Sequence, residues 1–187
     1  MIAKVIKFLI TLMKVKSNHI NSGGVNYVGI NVKFVNRGTI VLGKNVIIRP
    51  SSRIYAANSQ SHVSFGEGSE IGEHSTISSY NRIIFGQNVL TGPHVFVADH
   101  NHAYANPSLP ISKQGVKCKP TDKVVIGDGS WIGTNVVIVG NVHIGKHCVI
   151  GANSVVTKDI PDYSVAAGIP AKIIKKYDFE KEIWVRV

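Results

Sequence analysis

From residue 126 the chain reads IGDGSW IGTNVV IVGNVH IGKHCV IGANSV VTKDIP, so that Ile126, Ile132, Ile138, Ile144, Ile150 and Val156 recur every six residues. Gly127, Gly133, Gly145 and Gly151 follow four of them, and Ser130, Val136, Val142, Cys148, Ser154 and Ile160 stand four places on. Neither an amphipathic helix (period 3.6) nor a lone strand (period 2) uses this spacing. A triangular coil does: three six-residue units each turn their first residue inward, and successive coils stack at the ~4.8 Å strand spacing. Each coil buries its apolar edge only against the next, so stability builds along the stack. Glycine then belongs at corners where a Cβ or an unusual φ is costly.

The same frame appears upstream as LGKNVI IRPSSR IYAANS from Leu42, FGEGSE IGEHST from Phe65 and FGQNVL TGPHVF VADHNH from Phe85. Between Ile77 and Phe85 the step is eight, which puts two extra residues in a bulge. This pattern, running over about residues 40–165, resembles the hexapeptide-repeat acyltransferases. The resemblance implies an all-β solenoid, the left-handed parallel β-helix, here with an N-terminal amphipathic helix and one long inserted loop. It divides the chain into residues 1–22 (helix and connection), 23–175 (β-helix, loop at about 99–123) and 176–187 (tail).

The remaining bulk properties narrow the partners. A net charge of +10 favours anionic ones. The basic residues are scattered, and no nucleic-acid-binding signature accompanies them, so no nucleic acid is expected. Two cysteines without a CxxC pair suit a reducing compartment, hence the cytoplasm. In MIAKVIKFLITLMKVK the apolar residues follow helical spacing among four lysines. The run is too short and too charged to span a membrane, which takes ~20 apolar residues. It reads as a helix over an open end of the core, or as a basic amphipathic helix resting on an anionic membrane face.

The repeat stops after Val97 and resumes at Ile126, leaving an excursion that carries Pro107, Pro110 and Pro120. It opens with DHNH, Asp99 to His102, held at the edge of the rigid coil. In the galactoside and maltose acetyltransferases a histidine at the sixth position of the third such hexad is the general base. Here that position is His102, with His100 as runner-up and Asp99 as an orienter of the base. DHNH itself looks closer to the polysaccharide O-acetyltransferase branch. A metal pair from His100 and His102, or a polar turn, are the other readings of these residues. In the family the histidine is commonly followed by proline, whereas Ala103 follows here. The implied chemistry is removal of a sugar hydroxyl's proton as it attacks the acetyl-CoA thioester, for which an imidazole near neutrality is suited.

Acetyl-CoA is the expected cosubstrate. The resemblance places its contacts at Trp131, in the WIG setting, and at Thr134, Ala152, Thr157, Lys158, Lys172 and Lys175, the lysines meeting phosphates as point charges. The bulge offers Ser79, Tyr80, Asn81 and Arg82 to a saccharide acceptor. Family members form homotrimers with sites between subunits. Two rival activities stay open: N-acetylation of an amino sugar, and zinc-dependent carbonic anhydrase chemistry using His94, His143 and His147, which would need three converging ligands.

Overall fold

The computed structural model describes residues 11–187. Its strands stack into three parallel faces, so that successive short strands of one coil each join a different sheet. Face A includes Thr39–Leu42, His62–Phe65, Arg82–Phe85, Lys123–Ile126 and Val142–Ile144. Face B carries Ile47–Ile48, Glu70–Ile71, Leu90–Thr91, Trp131–Ile132 and Val149–Ile150. Face C carries Arg53–Ala56, Thr76–Ser79, Phe96–Ala98, Val137–Val139 and Val155–Val156. The stack makes about seven turns.

Parallel registers bring the repeat's inward residues into columns. Leu42 pairs with Phe65, Phe65 with Phe85, Phe85 with Ile126 and Ile126 with Ile144. These side chains are at most 2% exposed, and the Phe65 and Phe85 rings stack at 5.0 Å. Burying one such aliphatic contributes about 1.5–3 kcal/mol, so each column is a continuous source of stability. One coil is far longer than the others. Phe85 and Ile126 are register partners 41 residues apart (126 − 85), whereas Ile126 and Ile144 are 18 apart.

The corners divide glycine's two expected uses between two positions. The left-handed backbone falls three residues after the inward residues of faces A and B, at Asn45, Ser51, His74, Asn88, His94, Asn135, His147 and Asn153, with Gly68 and Gly129 in the same role. Asn tolerates that conformation better than most residues. The glycine directly after the inward residue serves space instead. A Cβ on Gly66 would run into the Gly86 carbonyl of the next coil. Corner position also accounts for His74 and His94, whose rings stack at 5.1 Å and 6° on consecutive coils.

Both ends extend the expected repeat. A first coil, from Asn21–Ser22 through Tyr27–Val28 to Lys33–Asn36, precedes the visible hexads and pairs in register with the second. Residues 11–17 are helical and lie over this end, with Thr11 and Val15 buried and the Val28 N–H donating to Thr11 Oγ1 at 3.1 Å. The earlier part of the expected N-terminal helix, residues 1–10, lies outside the described residues. Among those described, no helix is long and apolar enough to cross a membrane. The tail expected from residue 176 is instead sheet. Ala171–Asp178 folds back antiparallel on Ser164–Gly168, and Ile183–Arg186 adds a further strand. Face B therefore continues past the last coil, and the boundary expected after Lys175 falls inside a strand.

This division of labour is testable. Gly66→Ala should destabilise the protein by about 1–3 kcal/mol through overpacking, whereas Asn88→Gly, at a left-handed corner, should change stability by less than about 1 kcal/mol. Urea denaturation of both variants checks it, and equal losses would contradict the assignment.

Candidate active site

The two-residue bulge and the excursion meet at the corner between faces C and A. Strand Thr76–Ser79 ends there, and Tyr80 and Asn81 turn out of the frame before Arg82 resumes it. One coil later, Phe96–Ala98 ends at the same corner and leads into Asp99. The Asp99 carboxylate is buried and enters the bulge. Oδ2 accepts the Ser79 hydroxyl at 2.7 Å and the Asn81 N–H at 2.9 Å, and Oδ1 accepts the Tyr80 N–H at 2.8 Å. His100 Nδ1 lies 3.1 Å from Oδ1. Burial alone would raise the Asp99 pKa. The hydrogen bonds from His100, Tyr80, Ser79 and Asn81 outweigh burial and hold it below the usual 3.8. Asp99 is therefore an anion at neutral pH, so His100 must present its proton from Nδ1 and leave Nε2 as its basic nitrogen.

These contacts revise two expectations. Asp99 orients His100 and not His102, because adjacency turns the carboxylate toward the ring beside it. His102 is exposed on the short strand Asn101–His102, which pairs antiparallel with Val116–Lys117. Ser79, expected to face the acceptor, is buried and bonded to Asp99, so it is unavailable to a sugar. Asn81 is also engaged: its Nδ2 donates to the Pro120 and Asp122 carbonyls at 2.7 and 2.5 Å, tying the bulge to the end of the loop. Tyr80 stays open. Its ring packs on His100 at 5.1 Å, and it lines a cleft of about 480 Å³ with Asn58, Gln60, Asn81, Cys118 and Lys119. Arg82 is exposed around the corner, on face A.

Cys118 is a residue the sequence did not single out. Its thiol donates to the Asp99 carbonyl at 3.6 Å. Burial first, then the Asp99 and Asp122 carboxylates, push its pKa up to about 11. It remains a neutral thiol at physiological pH and serves as a packing group under the loop. Only its position opposite Asp99, 19 residues away and brought close by the loop's return, reveals this.

The expected cosubstrate contacts separate into two groups. Trp131 is half exposed on the outer side of face B, in the register column Leu90–Trp131–Val149–Val165–Lys175. Thr134 and Ala152 stack beside it at the corner between faces B and C, joined by the Asn153 N–H to the Thr134 carbonyl at 2.9 Å. Lys172 pairs with Ala167 at the upper end of that corner. Thr157 and Lys158, by contrast, lie beyond the far end of face C, at the corner occupied two coils earlier by Asp99. About five extended residues separate the two corners, or about 16 Å at ~3.3 Å each.

The histidines of the zinc reading are also dispersed. His143 is on an outer strand of face A, His147 stacks on Tyr163 at 5.4 Å, and His94 stacks on His74. Among the described residues no three His, Cys, Asp or Glu side chains gather as a metal group.

Disrupting the buried carboxylate should be costly. Asp99→Ala leaves two N–H groups and a hydroxyl without their acceptor and should cost about 3–5 kcal/mol. Because the folded-state pKa lies below the unfolded value, the unfolded chain binds the extra proton. Asp99's contribution is complete above about pH 4 and is lost as pH falls through the lower folded value. Acid titration of stability should therefore be shallower below about pH 4 for Asp99→Asn than for the natural protein. An unchanged acid slope would contradict the ionised state of Asp99.

Comparison with known proteins places this geometry in a family. Residues 123–158 match the model described as bacterial transferase hexapeptide (six repeats). The chain is 35% identical over 153 residues to the Escherichia coli K12 protein named as the lipopolysaccharide biosynthesis O-acetyl transferase WbbJ, covering 80% of this chain and 78% of that one. It is 35% identical over 150 residues to the galactoside O-acetyltransferase of Lactococcus lactis, covering 76% and 69% respectively. Among solved structures, AntD, an N-acyltransferase from Bacillus cereus in complex with dTDP and 3-hydroxybutyryl-CoA, superposes with a TM-score of 0.71 over 91% of this chain and 90% of that one, at 21% identity. A parallel β-solenoid in the hexad frame, broken once at a histidine-bearing corner, and relatives of this extent identify the chain as a member of the hexapeptide-repeat acyltransferases.

Proposed function

We propose that the protein transfers acetyl from acetyl-CoA to a saccharide hydroxyl in polysaccharide biosynthesis. The observation that carries this reading is the placement of DHNH. The solenoid is broken at one corner, and the chain leaving it carries two imidazoles: His100, braced by the buried Asp99 carboxylate and packed on Tyr80 at the edge of an open cleft, and the exposed His102.

Bound acetyl-CoA supplies the activated acyl group and a thiolate leaving group. The chain's residues suit it. Thr134 and Ala152 form a corner of small side chains along which an extended arm can lie close to backbone, while Lys172, Lys175 and Lys158 offer cations to phosphates. The base is His102, at the position that is catalytic in the galactoside and maltose enzymes. Its exposed ring takes the proton from the acceptor hydroxyl and returns it to the departing sulfur. Tyr80 and the cleft beside it orient the sugar.

One observation favours the runner-up. Asp99 fixes the tautomer of His100, an arrangement that suits a base held ready for proton transfer. On that reading His102 would position the acceptor. Kinetics separate the two.

The separation of the contact groups supports an inter-subunit site. One copy's Thr134–Ala152 corner would face another copy's DHNH corner, and the exposed Leu90, Trp131 and Phe96 supply apolar surface for such contact. We infer a homotrimer on this ground. We also assign the protein to the cytoplasm, where acetyl-CoA is made and its two free cysteines stay reduced. Exposed Leu12 and Met13 beside Lys16 support peripheral contact of the N-terminal end with an anionic membrane face.

His102→Ala should lower kcat by about 10²–10⁴-fold, with KM for acetyl-CoA changed only a few-fold, when thiol release is followed with a panel of neutral, acidic and amino sugars. The same loss in His100→Ala, with His102→Ala nearly normal, would transfer the base to His100. Turnover of amino sugars alone would replace hydroxyl by amine acceptors. No histidine dependence with any acceptor would sink the mechanism.

A further inference from the structure

Beyond the cleft at Tyr80, the C–A corner opens onto a cationic ledge, where Arg82, offered by the bulge to the acceptor, stands beside Lys123, a residue to which neither the fold nor the acetyl transfer gives a task. Arg82 and Lys123 are direct register partners on adjacent parallel strands, so their Cα atoms are about one strand spacing, ~4.8 Å, apart. The residues that follow them, Ile83 and Val124, are buried, which turns both basic side chains outward. They line one hollow of about 350 Å³ with Asn81, Pro120 and Thr121. That hollow shares Asn81 and Pro120 with the cleft at Tyr80, where Lys119 adds a third cation.

Two in-register cations repel each other, and such a pair is ordinarily relieved by a nearby carboxylate. Among the described residues the ion pairs are Arg49–Glu70, His100–Asp99 and Lys181–Asp178, and none involves Arg82, Lys119 or Lys123. The nearby Asp122 carboxylate is engaged by the Lys119 N–H at 2.8 Å, and Asp159 by the His143 N–H at 2.7 Å. The Arg82 field is felt locally: after burial, it helps to lower the pKa of His62, its register partner on the other side.

We propose that Arg82 and Lys123 form an anion subsite for the acceptor, so that the saccharide acetylated carries a phosphate or a carboxylate next to the sugar held at Tyr80. This rests on the acyl-transfer reading above and adds its substrate class. A guanidinium can grip two oxygens of such a group, and the lysine contributes a point charge. The two sources of the anion, a diphosphate-linked sugar and an acidic sugar, share this chemistry and differ in the probe that binds.

The test is a calorimetric titration of inorganic pyrophosphate, and separately of glucuronate, into the full-length protein. It compares the natural sequence with Arg82→Gln, Lys123→Gln and the double variant, and uses Lys172→Gln/Lys175→Gln as the control for cosubstrate phosphate sites. Saturable pyrophosphate binding, weakened at least tenfold in the double variant and unchanged in the control, supports a phosphate-bearing acceptor. The same pattern with glucuronate alone assigns a carboxylate. Failure of both probes to bind, or binding indifferent to Arg82 and Lys123, overturns the subsite. The readout needs no turnover, so a protein that binds the anion at this ledge yet acetylates no sugar would refute the acyl-transfer reading and leave the anion site standing.

Discussion

Everything in this molecule depends on coils staying in register. An inward residue of one coil must meet the inward residue of the next, because no single coil encloses its own apolar edge. The Phe65–Phe85–Ile126–Ile144 column shows the constraint at its strictest. It carries on unshifted across an excursion that makes one coil more than twice as long as its successor. Removal of one inward side chain, as in Ile126→Ala, would cost about 2–5 kcal/mol and would be felt by both neighbouring coils.

Register also explains how a loop can hold chemistry. The Tyr80–Asn81 bulge and Asp99 start one coil apart at the same corner, so the carboxylate meets two backbone N–H groups and a hydroxyl directed toward it. That buried anion locks the start of the excursion, and the Asn81 amide locks its end. Between these anchors the histidines are set by rigid elements. The same geometry keeps the small-residue corner of Thr134 and Ala152 a full face away, and this distance is the physical reason to expect neighbouring copies to complete each other's sites.

Much of the solenoid was legible in the sequence because the hexad signal is carried by the side chains that must be buried. The first coil was less so: its inward place on face A is the polar Ser22, its third is only the half-buried Phe34, and Val28 alone of the three is a buried aliphatic. The left-handed corners were hidden for another reason: Asn88, His94 and Asn153 fill them in place of glycine. At the site, spacing located the bulge and DHNH, but it carried no information about direction. Ser79 looked like a sugar ligand and donates its hydroxyl to the Asp99 carboxylate; Asp99 looked like a partner for His102 and holds His100. Both depend on contacts that only stacking creates, and so does Cys118. The C-terminal strands read as a tail because a chain that folds back antiparallel leaves the hexad period altogether.

The central claim, that this solenoid is built to use acetyl-CoA, is tested most directly by calorimetric titration of acetyl-CoA into the metal-free, folded protein. The account predicts saturable binding at one site per chain. No binding at millimolar acetyl-CoA, with the protein folded and its oligomeric state verified, would contradict it.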